Sequence, residues 1–175
     1  IPIYNRGLEE EGKERINEFV YTVLNLIITF TSTMSIIIIV FSRQILKITT
    51  GFADAQRFET ANNLLKITAF YFLFIALSGV VSSLLNNYKK FAVAASMGIV
   101  FNLTIIIGTI ILGKKMGIYG LGISYLLSGV LQLAIMLPDF FKIMKTYKFT
   151  FNLNDKYVVE MFKLMVPTLI GIFGL

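Results

Sequence analysis

The run TTGFADAQRFETANNLLKITAFYFLFIALSGVVSSLLNNYKKF, residues 50–91, decides the fold. It opens on a break at Gly51 and continues as a polar, helix-like approach carrying Asp54, Arg57 and Glu59. It then runs uncharged for 22 residues, Ile67 to Tyr88, and closes on Lys89 and Lys90. The parts suit, in order, water, an interface, hydrocarbon and a second interface. A hydrocarbon core about 30 Å thick takes about 20 helical residues, so 67–88 is the length of a transmembrane helix. Asp54 sits where an N-cap belongs. Ala55, Phe58, Ala61 or Asn62, and Leu65 recur at helical spacing, which predicts an interfacial helix leading into the span.

The pattern repeats on both sides. Residues 19–42, 91–113 and 116–138 form three more uncharged blocks. The connections are 43–66, the Lys89-Lys90 link, the Lys114-Lys115 link and 139–163. The two short links make antiparallel neighbours of the spans they join. Within 139–163, Phe149, Phe151 and Leu153 alternate with polar residues, which predicts an extended stretch at the interface. Asn154 or Asp155 then caps a new helix. Residues 164–175 begin a fifth span. Ahead of the first block, Glu9–Glu18 reads as the solvated start of a helix, with Glu11 and Arg15 at i,i+4. The chain opens IPIYNR and closes VPTLIGIFGL inside an apolar run, so both ends look cut. The expected fold class is all-α, a polytopic membrane helix bundle. Lys and Arg number ten on the side holding 1–18, 89–90 and 139–163, and six on the other. By the positive-inside rule the larger count faces the cytoplasm.

Composition narrows the chemistry. Of 175 residues 56% are hydrophobic and 15% charged, with no cysteine and no histidine. Disulfides, thiolate metal sites and the commonest metal ligand and general base are thereby excluded. The net charge of +6 sits at the ends of apolar blocks, a membrane-topology pattern rather than a nucleic-acid-binding one. No span contains Asp, Glu, Lys or Arg. Intramembrane ionisable residues mark transport paths, so these spans alone offer no charged pocket. No nucleophile–base pair assembles, and the Gly117–Gly122 cluster lacks the lysine of a phosphate loop. The expectation is no enzyme, no cofactor and no metal.

Polar groups at depth are the amides Asn25, Asn102 and Gln132, plus the hydroxyls of Thr29, Thr31, Ser32, Thr33 and Ser35. Each amide reads either as an interhelical hydrogen bond within the bundle or as the lining of a substrate cavity. Ser78/Ser82, Gly79/Ser83, Ala94/Gly98 and Ser124/Ser128 have the small-xxx-small spacing that lets helices approach closely in lipid. The glycines at 117, 120 and 122 predict a thin or bent start to the 116–138 span. Pro167 and Gly171, four apart, predict a kink or loosened turn.

Several of these segments carry a resemblance. Gly51-Phe52-Ala53-Asp54, then Leu64-Leu65-Lys66-Ile67-Thr68, then a span ending LLNNYKKF, then Asn102, resembles the lipid II flippase (MurJ/MviN) family. The opening IPIYNRGLEEEGKER, Gln132 with Leu137-Pro138, and Val166-Pro167-Thr168-Leu169-Ile170-Gly171 look like further stretches of that family, in the same order. The resemblance implies a larger transporter of the multidrug/oligosaccharidyl-lipid/polysaccharide exporter superfamily, working by alternating access in the bacterial cytoplasmic membrane. Its partners would be the lipid bilayer and the lipid-linked peptidoglycan precursor, with no nucleic acid. Residues 1–163 would be part of the N-terminal lobe, about helices three to six, and 164–175 the start of the seventh. The family's functional arginines and acidic residues lie chiefly on its first, second and eighth helices, so no substrate-binding residue carries over. Many members have prolines early in the fifth helix, where this chain has Ala94, Ala95 and Gly98. Pro167 and Gly171 match, as a hinge. The alternatives are another exporter of the superfamily, moving a polysaccharide or teichoic-acid precursor, and a non-transporting membrane scaffold.

Overall fold

A computed structural model describes residues 2–51, 54–145 and 147–173. Their helices are α1 (Pro2–Glu11), α2 (Lys13–Val40), α3 (Ser42–Thr49), α4 (Ala55–Ala69), α5 (Tyr71–Asn87), α6 (Phe91–Met116), α7 (Ile118–Ala134), α8 (Leu137–Met144) and α9 (Lys156–Phe173). No strand occurs among the described residues, and the protein is all-α. Ile1, Phe52 and Ala53 of the quoted motifs, and the last two residues of the expected 164–175 span, lie outside the described residues.

Among the described residues four runs are long and apolar enough to cross a membrane: Lys13–Val40, Ala55–Asn87, Phe91–Met116 and Ile118–Met144. Their outward faces agree with that role. On α6, Ile99, Leu103, Ile106, Ile107, Ile110 and Ile111 are all more than 50% exposed. In water so large an apolar patch would drive association. Against lipid tails it carries no such penalty, because the helix satisfies its own backbone.

Contacts divide the chain into two units, Ile27–Lys142 and Ile1–Leu26 with Ile143–Leu175. The first is centred on a hairpin of α6 and α7. Gly117 joins them at φ 58°, ψ −134°, a conformation that only glycine adopts readily. Beyond the turn the two helices meet backbone to backbone. A Cβ on Gly120 would lie 2.4 Å from the Leu112 carbonyl, and one on Gly108 would lie 2.5 Å from the Ser124 hydroxyl. The glycine cluster thus thins the start of α7, as its spacing predicts. Farther along, Gly129 makes room for Tyr71, whose ring groups with Phe101 and Tyr125 at centroid distances of 5.7 and 4.3 Å. Edge-to-face and tilted ring pairs of this kind add about 0.5–1.5 kcal/mol beyond simple burial.

Two small-residue readings need correction. A Cβ at Gly79 or Gly98 would meet nothing within 4 Å, so neither is a close-approach position. α5 buries the stripe Ser78, Val81, Leu84 and Leu85, which leaves Gly79 exposed. α6 makes its close approaches at Gly108 and Leu112 instead.

The run Ala55–Asn87 begins as expected. Asp54 accepts a hydrogen bond from the Gln56 backbone N–H at 2.8 Å, and Arg43 of α3 reaches Glu59 of α4 at 2.6 Å. At Phe70 the helix loosens: the Leu73 N–H turns to the Phe70 carbonyl rather than to that of Ala69. Ser35 of α2 donates to the released Ala69 carbonyl at 2.9 Å. A hydroxyl at depth thereby satisfies a backbone acceptor that lipid could not. Thr31 bonds its own helix at the Ile27 carbonyl.

In the other unit, α1 ends at Gly12, where φ is +81°. The expected single helical run through Glu9–Glu18 is therefore broken. Gly12 takes the left-handed conformation that stops a helix, and α2 starts at Lys13. Ile16, Phe19, Tyr157 and Val158 are buried, and Gly7 fits against Ile16 and Tyr157. Phe149, Phe151 and Leu153 lie outside helix and strand and are exposed.

Candidate functional site

The three amides at depth have different fates. Asn25 of α2 is buried, donates from Nδ2 to the Thr150 carbonyl at 2.8 Å, and accepts from the Tyr147 hydroxyl. Its amide thus anchors the segment after α8. Asn102 is exposed on α6 and returns its Nδ2 to its own helix at the Gly98 carbonyl, 2.9 Å away. Gln132 of α7 is 2% exposed and sits against the Tyr71 hydroxyl, though its Nε2 does not reach good hydrogen-bond geometry there. Pro167 lies inside α9, which continues through it to Phe173.

The densest polar assembly lies among α1, the foot of α2 and the start of α9, where no single stretch of sequence announces it. Asp155 is 3% exposed. One of its oxygens accepts from the Tyr157 backbone N–H at 2.8 Å and caps α9, and the other takes Arg15. Arg15 also reaches Glu11 at 3.5 Å, the expected i,i+4 pair, and Glu18 at 3.2 Å. Lys156 bonds Glu11 at 2.6 Å and lies over the Tyr157 ring, 4.8 Å from its centroid. Arg6 bonds Glu160 and reaches Glu10 at 3.6 Å. The hydrogen bond to Glu11 holds the Lys156 ammonium above its ordinary range, and the bond to Glu160 does the same for the Arg6 guanidinium. A raised lysine contributes fully below the unfolded value and loses that contribution only as pH rises through the folded one. The lysine pairs therefore hold across all neutral conditions.

This network joins residues 140 or more positions apart, such as Arg15 and Asp155. Its pairs include Arg15 with Asp155, Arg6 with Glu160 and Lys156 with Glu11, a match of single charges that no local spacing announces. Beside the network a cavity of about 390 Å³ is lined by Lys13, Glu14, Asn17, Glu18, Lys145 and Lys148, among others. Among the described residues no group of three or more Asp or Glu is placed to hold a metal ion.

Four apolar helices of spanning length, with outward-facing aliphatic surface and polar, paired ends, define a multi-pass α-helical membrane protein. The family model for the lipid II flippase MurJ matches residues 1–173, and the chain belongs to that family. It is 30% identical to a probable lipid II flippase MurJ of Buchnera aphidicola subsp. Schizaphis graminum, over 98% of this chain and 34% of the relative. It is 31% identical to that of Rickettsia prowazekii, again over 98% and 34%. A lipid II flippase MurJ of Burkholderia cenocepacia is 30% identical over 52% of this chain and 18% of its own length. The chain thus spans about a third of the length of the first two relatives.

Proposed function

We propose that the chain forms part of a lipid II flippase, carrying lipid-linked peptidoglycan precursor across the bacterial cytoplasmic membrane by alternating access, without covalent chemistry. The observation that carries this reading is the family match along 1–173, supported by four helices of spanning length. In it the chain supplies helices three to six of a first lobe, with residues from 164 onward opening the next span. The polar assembly around Asp155 is structural, because both carboxylate oxygens of Asp155 already have partners. Asn25 and Gln132 both act in packing, the first on the Thr150 carbonyl and the second beside the Tyr71 hydroxyl.

The test is complementation. The full-length protein, expressed in a bacterium depleted of its own flippase, restores growth and clears accumulated lipid-linked precursor. Growth without clearance would sink the flippase assignment. Pro167 and Gly171 act as the hinge in this reading, since a proline removes a backbone hydrogen bond from within α9. Pro167→Ala then lowers complementation and changes accessibility labelling of the transport cavity. If both stay at the wild-type level, the hinge is elsewhere.

A further inference from the structure

The cavity at the foot of α2 holds chemistry that the transport reading does not use. Its 390 Å³ lies within the range of about 300–1,000 Å³ typical of ligand pockets. Asn17 lines it, is only 8% exposed, and has an Oδ1 with no hydrogen-bond partner. A buried, unanswered acceptor of this kind costs about 1–3 kcal/mol unless something supplies a donor. Glu14 lines the same cavity and forms no ion pair with a described residue. Lys145 and Lys148 also line it, exposed and likewise without an ion-pair partner among the described residues. Glu18, by contrast, is committed to Arg15 at 3.2 Å.

The lining therefore offers a donor set and an acceptor set at once. A simple anion would answer the two lysines and leave Asn17 Oδ1 and Glu14 unmet. A simple cation would do the reverse. A phosphate joined by a short linker to an ammonium with N–H donors answers both. The segment leaving the cavity shows where such a group would come from. Phe149 is 78% exposed, Phe151 44% and Leu153 53%, and the two phenylalanine rings pair at 5.5 Å. Exposed aromatic and aliphatic side chains next to lysines are how a segment seats itself in the headgroup layer of a bilayer.

We propose that this cavity binds the headgroup of a zwitterionic aminophospholipid of the phosphatidylethanolamine class, its phosphate on Lys145 and Lys148 and its ammonium on Glu14 and Asn17 Oδ1. The lipid serves as a bound structural partner on the lysine- and arginine-rich side of the membrane. The proposal depends on the protein lying in a bilayer and is independent of which lipid is transported.

Native mass spectrometry of the full-length protein tests it. The protein is given phosphatidylethanolamine, phosphatidylcholine and phosphatidylglycerol with identical acyl chains, and retained lipid is counted. The ethanolamine lipid is retained roughly tenfold over the other two, since choline has no N–H to give and glycerol no charge to pair. Glu14→Gln and Asn17→Leu each bring ethanolamine retention down to the choline level. Lys148→Gln, a change at an exposed position that leaves the fold intact, lowers ethanolamine and choline lipids together. Equal retention of all three lipids, or a preference for phosphatidylglycerol that Glu14→Gln does not alter, overturns the proposal. So does displacement of the lipid by equimolar soluble phosphoethanolamine, which would make the occupant a free metabolite. Because retention is read on purified protein, its outcome is separate from that of complementation.

Discussion

Asp155 shows how much one carboxylate can decide. It is a nearly buried charge whose two oxygens do different work, one capping α9 and one holding Arg15. Breaking a buried ion pair by removing one partner is costly, about 3–5 kcal/mol, and the partial exposure of Arg15 lowers that here to about 2–3 kcal/mol. Asparagine caps nearly as well as aspartate, whereas alanine forfeits about 1 kcal/mol of capping. Asp155→Asn is accordingly expected to destabilise through the lost charge alone, and Asp155→Ala by about 1 kcal/mol more. Thermal unfolding of both variants in detergent micelles measures the gap; equal losses would show that the cap contributes nothing. The sequence narrows the cap to Asn154 or Asp155 by local rules, which is as far as local rules go. The pairing with Arg15 depends on how the chain folds back, and no spacing encodes that. Asn25 is alike in this respect: its amide is visible at depth, but its partners at Tyr147 and Thr150 lie more than 120 positions away.

Among the elements, the α6–α7 hairpin is the tightest, and glycine placement explains it. Gly120→Ala would force a methyl into the Leu112 carbonyl, an atom that cannot swing aside, and is expected to cost about 1–3 kcal/mol. Gly79→Ala puts the same methyl into open space and is expected to stabilise α5 by up to about 1 kcal/mol through helix propensity. Unfolding midpoints of the two variants should move in opposite directions; a common direction would mean that the hairpin contact is not what limits stability. Small-residue spacing locates the class of helix that packs closely but not the face. Gly79 and Gly108 read alike in sequence, and only the neighbour, Ser124 beside Gly108 and nothing beside Gly79, separates them. The break at Phe70 is similarly silent, for no proline or glycine marks it. Its only trace in the sequence is Ser35, one of six serine and threonine hydroxyls on α2 among which the pattern does not choose.

For the whole molecule, the number and order of apolar helices are plain in the sequence because hydrocarbon thickness imposes a length that few other constraints imitate. Direction across the membrane is an expectation drawn from the lysine and arginine counts, ten against six. These 175 residues carry no cysteine, so with any cysteine elsewhere in the full-length protein replaced, single-cysteine labelling tests this directly. Single cysteines at Lys47 and Lys115 should react with a membrane-impermeant maleimide in intact cells, and those at Lys89 and Lys142 only after permeabilisation. The reverse pattern would invert the assigned topology. The α6–Gly117–α7 turn has a consequence for biogenesis. Its tip is short, with α6 ending at Met116 and α7 starting at Ile118 on either side of the single residue Gly117, and its arms grip one another along their backbones. Such a pair can leave the insertion channel as one preassembled wedge rather than as two helices that must find each other in the bilayer, so the last step of its synthesis is also the first step of its assembly.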